Sequence, residues 1–199
     1  MEECIVGKSL SEMSLKELRE LFPIILKEHN PIWKDWYLQE EKLLNNIIGD
    51  QYIERINHIG STSVNGLLAK PTIDILLEIT EECDLKFLVS MFEKNGYIFE
   101  KQPQKSAPHM MFMKGYTKKG FAEKVFHLHV RYIGDWNELY FRDFLRLHKD
   151  VAKEYSNLKM SLIDKYEHDR DGYTEAKTEF VNKYTKIAKT EFENKYIPN

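Results

Sequence analysis

Apolar residues recur at helical spacing in several separate stretches of the chain. Ser14 and Glu17 form the capping-box pattern that begins a short helix, and Pro31 stands at a first-turn position where helices tolerate proline. The spacing predicts helices over residues 14–21, 31–48, 82–95, 136–148, 150–167 and 173 to about 195. The chain is therefore expected to end in a helical segment.

Other stretches carry the alternating or β-branched residues that are typical of strands. Residues 72–79 are apolar except for Asp74 and Glu78, which indicates a buried central strand. Further strands are predicted at 24–27 on an edge, before Gly60, and at 97–101, 110–115 and 125–132. Strands interleaved with helices predict an α/β or α+β fold, and 199 residues suit a single domain over 1–199.

Composition narrows the classes of function. The 29 basic and 32 acidic side chains give a net charge of -3, which argues against broad binding of nucleic acid. Cys4 and Cys83 are too few for a disulfide framework and indicate free thiols in a reducing cytosol. Neither a signal peptide nor an apolar run long enough for a bilayer is visible, so we expect a cytoplasmic protein without a membrane partner.

A phosphate-handling pattern lies between His58 and Asp74. A strand leads into a loop of small polar residues, and a second strand then brings a carboxylate into an apolar run. Glycine lets a ligand approach the backbone, hydroxyls donate to phosphate oxygens, and a carboxylate holds Mg²⁺ beside them. The candidate phosphate contacts are His58, Gly60, Ser61, Thr62 and Ser63, with Lys70 as a cation and Asp74 as the metal anchor.

Plainer explanations remain open for this segment. Gly-Ser-Thr-Ser is also common in turns that bind nothing. A buried acid such as Asp74 needs a partner, and a structural ion pair with Lys70 or a helix arginine would supply one.

The segment from His58 to Asp74 also resembles the hallmark of the GrpB family, His-Ile-Gly-Ser-Thr followed by Gly-Leu, Ala-Lys-Pro and Ile-Asp. Further matches are Asn95-Gly-Tyr97, His127-Leu-His-Val130, Phe141-Arg-Asp-Phe-Leu-Arg146 and Tyr155-Ser-Asn-Leu-Lys159. The resemblance covers residues 31 to about 190. It implies a nucleotidyltransferase-like mixed β-sheet flanked by helices. Some relatives are fused to a dephospho-coenzyme A kinase, which implies a link to coenzyme A metabolism.

One departure from the active nucleotidyltransferase pattern concerns metal binding. The position for a second acid holds Leu76, and Glu78 lies about 13 Å along the strand from Asp74. His127 and His129 project from one face of a later strand. With Asp74 they would form a site for Mg²⁺, Mn²⁺ or Zn²⁺, or hold a phosphate as imidazolium; otherwise they are hydrogen-bonded in a polar groove.

Basic residues of the closing helices complete the candidate site. The family motif places Arg142 in the cleft as a phosphate clamp, with Lys159 and Lys177 from later helices. Surface ion pairing is the alternative for each of them, and the one we favour for Arg146.

Two classes of function follow from these residues. The first is a binding protein for a nucleotide or phosphorylated metabolite, which Leu76 favours. The alternative is a metal-dependent nucleotidyltransferase acting on a small acceptor, with Asp74, Lys70 and Arg142 as its catalytic residues.

Overall fold

A five-stranded mixed β-sheet forms the centre of the structure, a computed structural model that describes residues 8–102, 105, 108–193 and 195–198. The strands are β1 (Ile53–Ile59), β2 (Ile73–Ile79), β3 (Ile98–Glu100), β4 (His109–Thr117) and β5 (Gly120–Tyr132). Their order across the sheet is β1-β2-β5-β4-β3. β2 and β5 run parallel, and every other neighbouring pair is antiparallel.

Seven α-helices flank the sheet within the described residues. They are α1 (Leu15–Leu21), α2 (Ile32–Ile48), α3 (Leu85–Lys94), α4 (Asn137–Leu147), α5 (Lys149–Tyr166), α6 (Arg170–Glu175) and α7 (Thr178–Glu191). The predicted capping box is present, since Ser14 and Glu17 exchange hydrogen bonds at the start of α1. None of the described helices has the length and apolar character needed to cross a membrane.

Helices cover both faces of the sheet, which explains why β2 is apolar on both sides. On one face, Ile75 and Leu77 pack with residues of α2 and α3 such as Leu44 and Phe92. On the other face, Leu76 packs with residues of α4, α5 and α7. The polar residues of this second face therefore lie beneath the closing helices.

Three predictions about elements need correction or restriction. Residues 24–27 form no strand of the sheet, and Lys27 makes only an isolated bridge to Ala69. The predicted helix from 173 to about 195 is divided into α6 and α7. Two prolines predict a loop over 101–109 that could serve as a lid, but part of this segment lies outside the described residues. Cys4 lies outside them as well, and Cys83 is a buried free thiol.

Candidate anion-binding site

Asp74 and His127 are direct neighbours in the parallel pairing of β2 and β5. His127 Nδ1 lies 3.1 Å from Asp74 Oδ1, and its Nε2 lies 2.8 Å from the Tyr116 hydroxyl. Since an ionised carboxylate only accepts hydrogen bonds, Nδ1 carries the proton and Tyr116 donates to Nε2. Nδ1 of His127 therefore holds the carboxylate of Asp74, and Nε2 is held by Tyr116.

Gly60 allows the loop after β1 to lie directly against that carboxylate. Its φ of 69° and ψ of -176° belong to a region that essentially only glycine adopts. A Cβ on this residue would collide with Oδ2 of Asp74. The glycine of the sequence motif is thus required by both the backbone conformation and the close approach of the acid.

A cleft of about 200 Å³ opens around Asp74, and we call it the anion cleft. It lies between the loop joining β1 to β2, the strands β2 and β5, and the helices α5 and α6. Its lining residues are Ile24, Leu26, Ser61, Lys70, Thr72, Asp74, His127, Lys159, Arg170, Tyr173, Thr174 and Lys177. Four of them are cations and one is a carboxylate.

The charges in the anion cleft are strongly perturbed. Burial lowers the pKa of Lys70 and of Lys177 to about 8, and burial together with the charge of Lys177 lowers the pKa of Lys159 to about 7. Burial disfavours the charged form of Asp74, but the hydrogen bond from His127 and nearby positive charges outweigh it and hold its pKa below the usual value. Burial lowers the pKa of His127 to about 4, so this imidazole is neutral at pH 7.

The cations of the anion cleft have no acidic partner of their own. Within the described residues, none of Lys70, Lys159, Arg170 and Lys177 forms an ion pair with a carboxylate. Lys70 and Lys177 instead lie 5.4 and 4.1 Å from the centres of aromatic rings. Positive charge therefore exceeds negative charge in a partly buried space.

Lys159 connects the helical segment to the loop. Its ammonium donates to the Ser61 hydroxyl at 3.1 Å and to the Leu68 carbonyl, and the residue is 2 % exposed. The sequence placed Ser61 and Lys159 at one phosphate site, and the structure brings both to the wall of the anion cleft.

Three other residues that were predicted to contact phosphate form side-chain hydrogen bonds within the protein instead. Thr62 donates to the Thr72 carbonyl and accepts from His58 Nε2, while Ser63 donates to the Gly60 carbonyl. His58 also stacks on Tyr37, and burial lowers the pKa of His58 to about 4. These side chains hold the loop in shape and are not among the residues that line the anion cleft.

The two arginines of α4 lie outside the anion cleft. Arg142 is buried and donates to Asn57, to the His58 carbonyl and to Tyr196, as well as to its neighbour Asp143. Arg146 makes two hydrogen bonds to the Ser63 carbonyl in addition to its contact with Asp143, so it does more than form a surface ion pair. Both residues attach α4 to β1 and the loop that follows it.

The predicted metal ligands do not form a site of suitable geometry. In the part of the chain that the structure describes, no three His, Cys, Asp or Glu side chains are arranged to hold one metal ion. His127 has no free ring nitrogen, and His129 is paired in register with Leu76 and not with Asp74. Glu78 is fully buried against Arg55. These donors are not arranged to hold a divalent metal ion in the described structure. The sequence pattern alone therefore predicts the metal site.

The sequence pattern alone misses Arg170, Tyr173 and Thr174 as cleft residues. They belong to α6, a single short helix between the two longer ones. The available signal was the interruption of helical spacing between residues 167 and 173, which marks a turn. That signal does not reveal which surface the turn covers.

Comparisons with known proteins show the family to which the chain belongs. Residues 23–187 match the family described as GrpB protein, which is most of the chain. The chain belongs to the GrpB family. A glutamate-rich protein GrpB from Alkalihalophilus pseudofirmus is 38% identical over 164 residues, which cover 80% of this chain and 92% of the relative.

Two further proteins match most of the chain. A UPF0157 protein from Halalkalibacterium halodurans is 31% identical over 185 residues, covering 91% of each protein. The crystal structure of a conserved protein GrpB from Enterococcus faecalis superposes with a TM-score of 0.73 at 27% identity, over 84% of this chain and 99% of that one. The mixed sheet with its closing helices is thus a GrpB architecture.

Proposed function

We propose that this GrpB protein binds the phosphate groups of a nucleotide or another small phosphorylated metabolite in the anion cleft. The observation that carries the proposal is the grouping of Lys70, Lys159, Arg170 and Lys177 around one carboxylate, with no ion pair to any described acid.

Desolvation explains why such a cleft attracts phosphate. Holding several like charges in a partly buried space is unfavourable, and the lowered pKa values of the lysines express that cost. A polyanion would neutralise the lysines and accept charge-assisted hydrogen bonds from them, each stronger than a neutral one. The cleft of about 200 Å³ suits a few phosphate groups and not a nucleic-acid duplex.

The geometry favours binding over metal-dependent nucleotidyl transfer. Leu76, at the position of the missing acid, is fully buried in the apolar core beneath the helices. Arg142, a predicted catalytic residue, uses its guanidinium inside the fold. Transfer through paired metal ions needs two or three carboxylates facing one substrate, and Asp74 is the sole acid that lines the described anion cleft.

The proposal is tested by isothermal titration calorimetry with pyrophosphate, ADP and dephospho-coenzyme A. We expect binding of at least one of these without added metal, and a loss of about 10- to 100-fold in affinity for Lys177→Gln, the range expected for one charge-assisted hydrogen bond. Lys186→Gln is the matched control, since Lys186 is an exposed lysine of α7 away from the anion cleft. The affinity of Lys186→Gln for the same compound is expected to differ from that of the wild type by less than about 2-fold.

The results of this titration test both phosphate binding and the alternative transferase activity. Equal affinity of the wild type and Lys177→Gln, or no binding of any of the three compounds at millimolar concentration, would contradict the proposal. Repeating the titration with Mg²⁺, Mn²⁺ or Zn²⁺ tests the transferase: metal-dependent release of pyrophosphate from a nucleoside triphosphate would establish the alternative.

A further inference from the structure

A second cavity of about 280 Å³ lies beneath the closing helices, and we call it the helical pocket. Its apolar wall consists of Phe141 and Leu145 from α4, Tyr155 from α5 and Val181 from α7. Phe141 and Tyr155 meet edge to face, with ring centres 5.3 Å apart. The volume is just below the range of roughly 300–1,000 Å³ that is usual for pockets holding drug-sized ligands, so it suits one ring system.

The helical pocket adjoins the anion cleft. Ser61 lines both cavities. Tyr155 and Lys159 lie one turn apart on α5, and the Lys159 ammonium is 4.5 Å from the centre of the Tyr155 ring. The two cavities therefore share part of their wall at Ser61.

The helical pocket also contains a polar group that lacks a partner. Thr185 is 5 % exposed, and its buried hydroxyl makes no hydrogen bond within the described structure. An unsatisfied buried hydroxyl costs about 1–3 kcal/mol. Asn182 and Glu138 line the same pocket and add an amide with both donor and acceptor atoms and a carboxylate that also accepts from Arg131.

From these features we infer that the helical pocket holds the heteroaromatic base of a nucleotide whose phosphates occupy the anion cleft. An aromatic ring with hydrogen-bonding edges matches an apolar, ring-lined wall that also presents a hydroxyl, an amide and a carboxylate. The inference rests on the proposed function, since it assigns the organic part of the same ligand. It selects nucleotides over phosphorylated compounds that carry no ring.

A calorimetric comparison of the affinities for pyrophosphate and for nucleoside diphosphates distinguishes binding in the two cavities. We expect ADP or UDP to bind the wild type at least about 10-fold more tightly than pyrophosphate, because only the nucleotides reach the helical pocket. Val181→Trp fills the pocket, so it is expected to reduce nucleotide affinity to the level of pyrophosphate. The affinity for pyrophosphate itself should remain unchanged.

Thr185→Val provides a second variant that does not depend on a large side chain. Removing an unsatisfied hydroxyl should leave the ligand-free protein at least as stable as the wild type by urea denaturation. Nucleotide affinity should fall about 5- to 10-fold, as expected for one lost hydrogen bond, with pyrophosphate unaffected. A purely structural threonine would instead lower stability and leave the affinity unchanged.

Two outcomes would overturn the inference while leaving the anion cleft in place. One is equal affinity of the wild type for pyrophosphate, ADP and UDP. The other is a preference for nucleotides that persists in both Val181→Trp and Thr185→Val. If pyrophosphate and the nucleotides all fail to bind, the anion cleft itself is contradicted.

Discussion

At the scale of single residues, the site is held by a chain of contacts that runs from the sheet into the loop. Tyr116 fixes the tautomer of His127, His127 fixes the carboxylate of Asp74, and the carboxylate packs on Gly60. Each of these contacts restricts the neighbouring group to one orientation. Asp74 thus acts in this structure as an ordered acid at the wall of the anion cleft, with 27% of its side chain exposed.

Gly60→Ala tests the close approach of the loop to Asp74. Alanine at this position must adopt a backbone conformation that favours glycine, and its methyl group collides with the carboxylate of Asp74. Gly66→Ala is the matched control, since Gly66 has a φ of 78° but nothing within 4 Å of an added Cβ. We expect a loss of about 1–2 kcal/mol for Gly66→Ala, and a further loss of about 1–3 kcal/mol for Gly60→Ala.

Urea denaturation of both glycine variants provides the measurement. The double variant Gly60→Ala with Asp74→Gly should recover part of the loss, because the colliding carboxylate is then absent. Equal destabilisation of Gly60→Ala and Gly66→Ala would show that the contact between loop and acid is unimportant.

At the scale of elements, a buried ion pair joins β1, β2 and the turn that follows β5. Arg55 donates to both carboxylate oxygens of Glu78, at 2.5 and 2.7 Å, and also to the Gly134 carbonyl. The Gly134 backbone N–H donates back to Glu78. The second acid of β2 is therefore a structural residue that fixes where the closing helices begin.

Arg55→Met is expected to destabilise the protein by about 3–5 kcal/mol, because it leaves the carboxylate of Glu78 buried without its cation. Arg19→Met is the control, since Arg19 and Asp169 form an exposed pair worth about 0–1 kcal/mol. The free energy of unfolding in urea measures both. A similar small loss for the two variants would contradict the structural role of Glu78.

The elements themselves were largely predictable from the sequence. Residues 31–48 and 72–79 have strong local periodicity, and α2 and β2 appear within one residue of those bounds. Residues 24–27 have strand composition but find only one bridge, because Ala69 offers no extended partner strand. The break between α6 and α7 lies beside Lys177, which lines the anion cleft, and local spacing does not reveal this position.

At the scale of the whole molecule, a net charge of -3 coexists with a strongly cationic cleft. With its lysines protonated, the anion cleft carries four positive charges and one negative charge. The pKa values of about 7 for Lys159 and about 8 for Lys70 and Lys177 place the loss of this charge near neutral pH. Anion affinity should therefore depend on pH in a range where Asp74 and His127 do not titrate.

Affinity for sulfate, whose charge stays constant, is expected to fall about 10- to 100-fold between pH 6.5 and pH 9 as the three lysines lose their protons. Calorimetric titration over this range measures the effect. Lys159→Met should remove the part of the decrease that occurs near pH 7. A constant affinity from pH 6.5 to pH 9 would contradict the role of the lysines.

The same pKa values predict an opposite trend for stability without ligand. Since the folded pKa of each lysine lies below its ordinary value of about 10.4, the unfolded chain binds more protons in the interval between the two. The contribution of these lysines to the free energy of unfolding therefore rises with pH from about 7 to about 10. Affinity and stability should change in opposite directions.

The sequence by itself determined the segment from His58 to Asp74, the strand that carries the acid and the family to which the chain belongs. These features depend on local conformation and residue order, which a linear pattern records. Only the tertiary structure decided that His127 holds Asp74, that Arg142 is used internally, and that Arg170 joins the lysines in one cleft. Those assignments depend on sheet register and on helix packing between residues about 50 to 100 positions apart, where long-range contacts and desolvation set the partner of each charge.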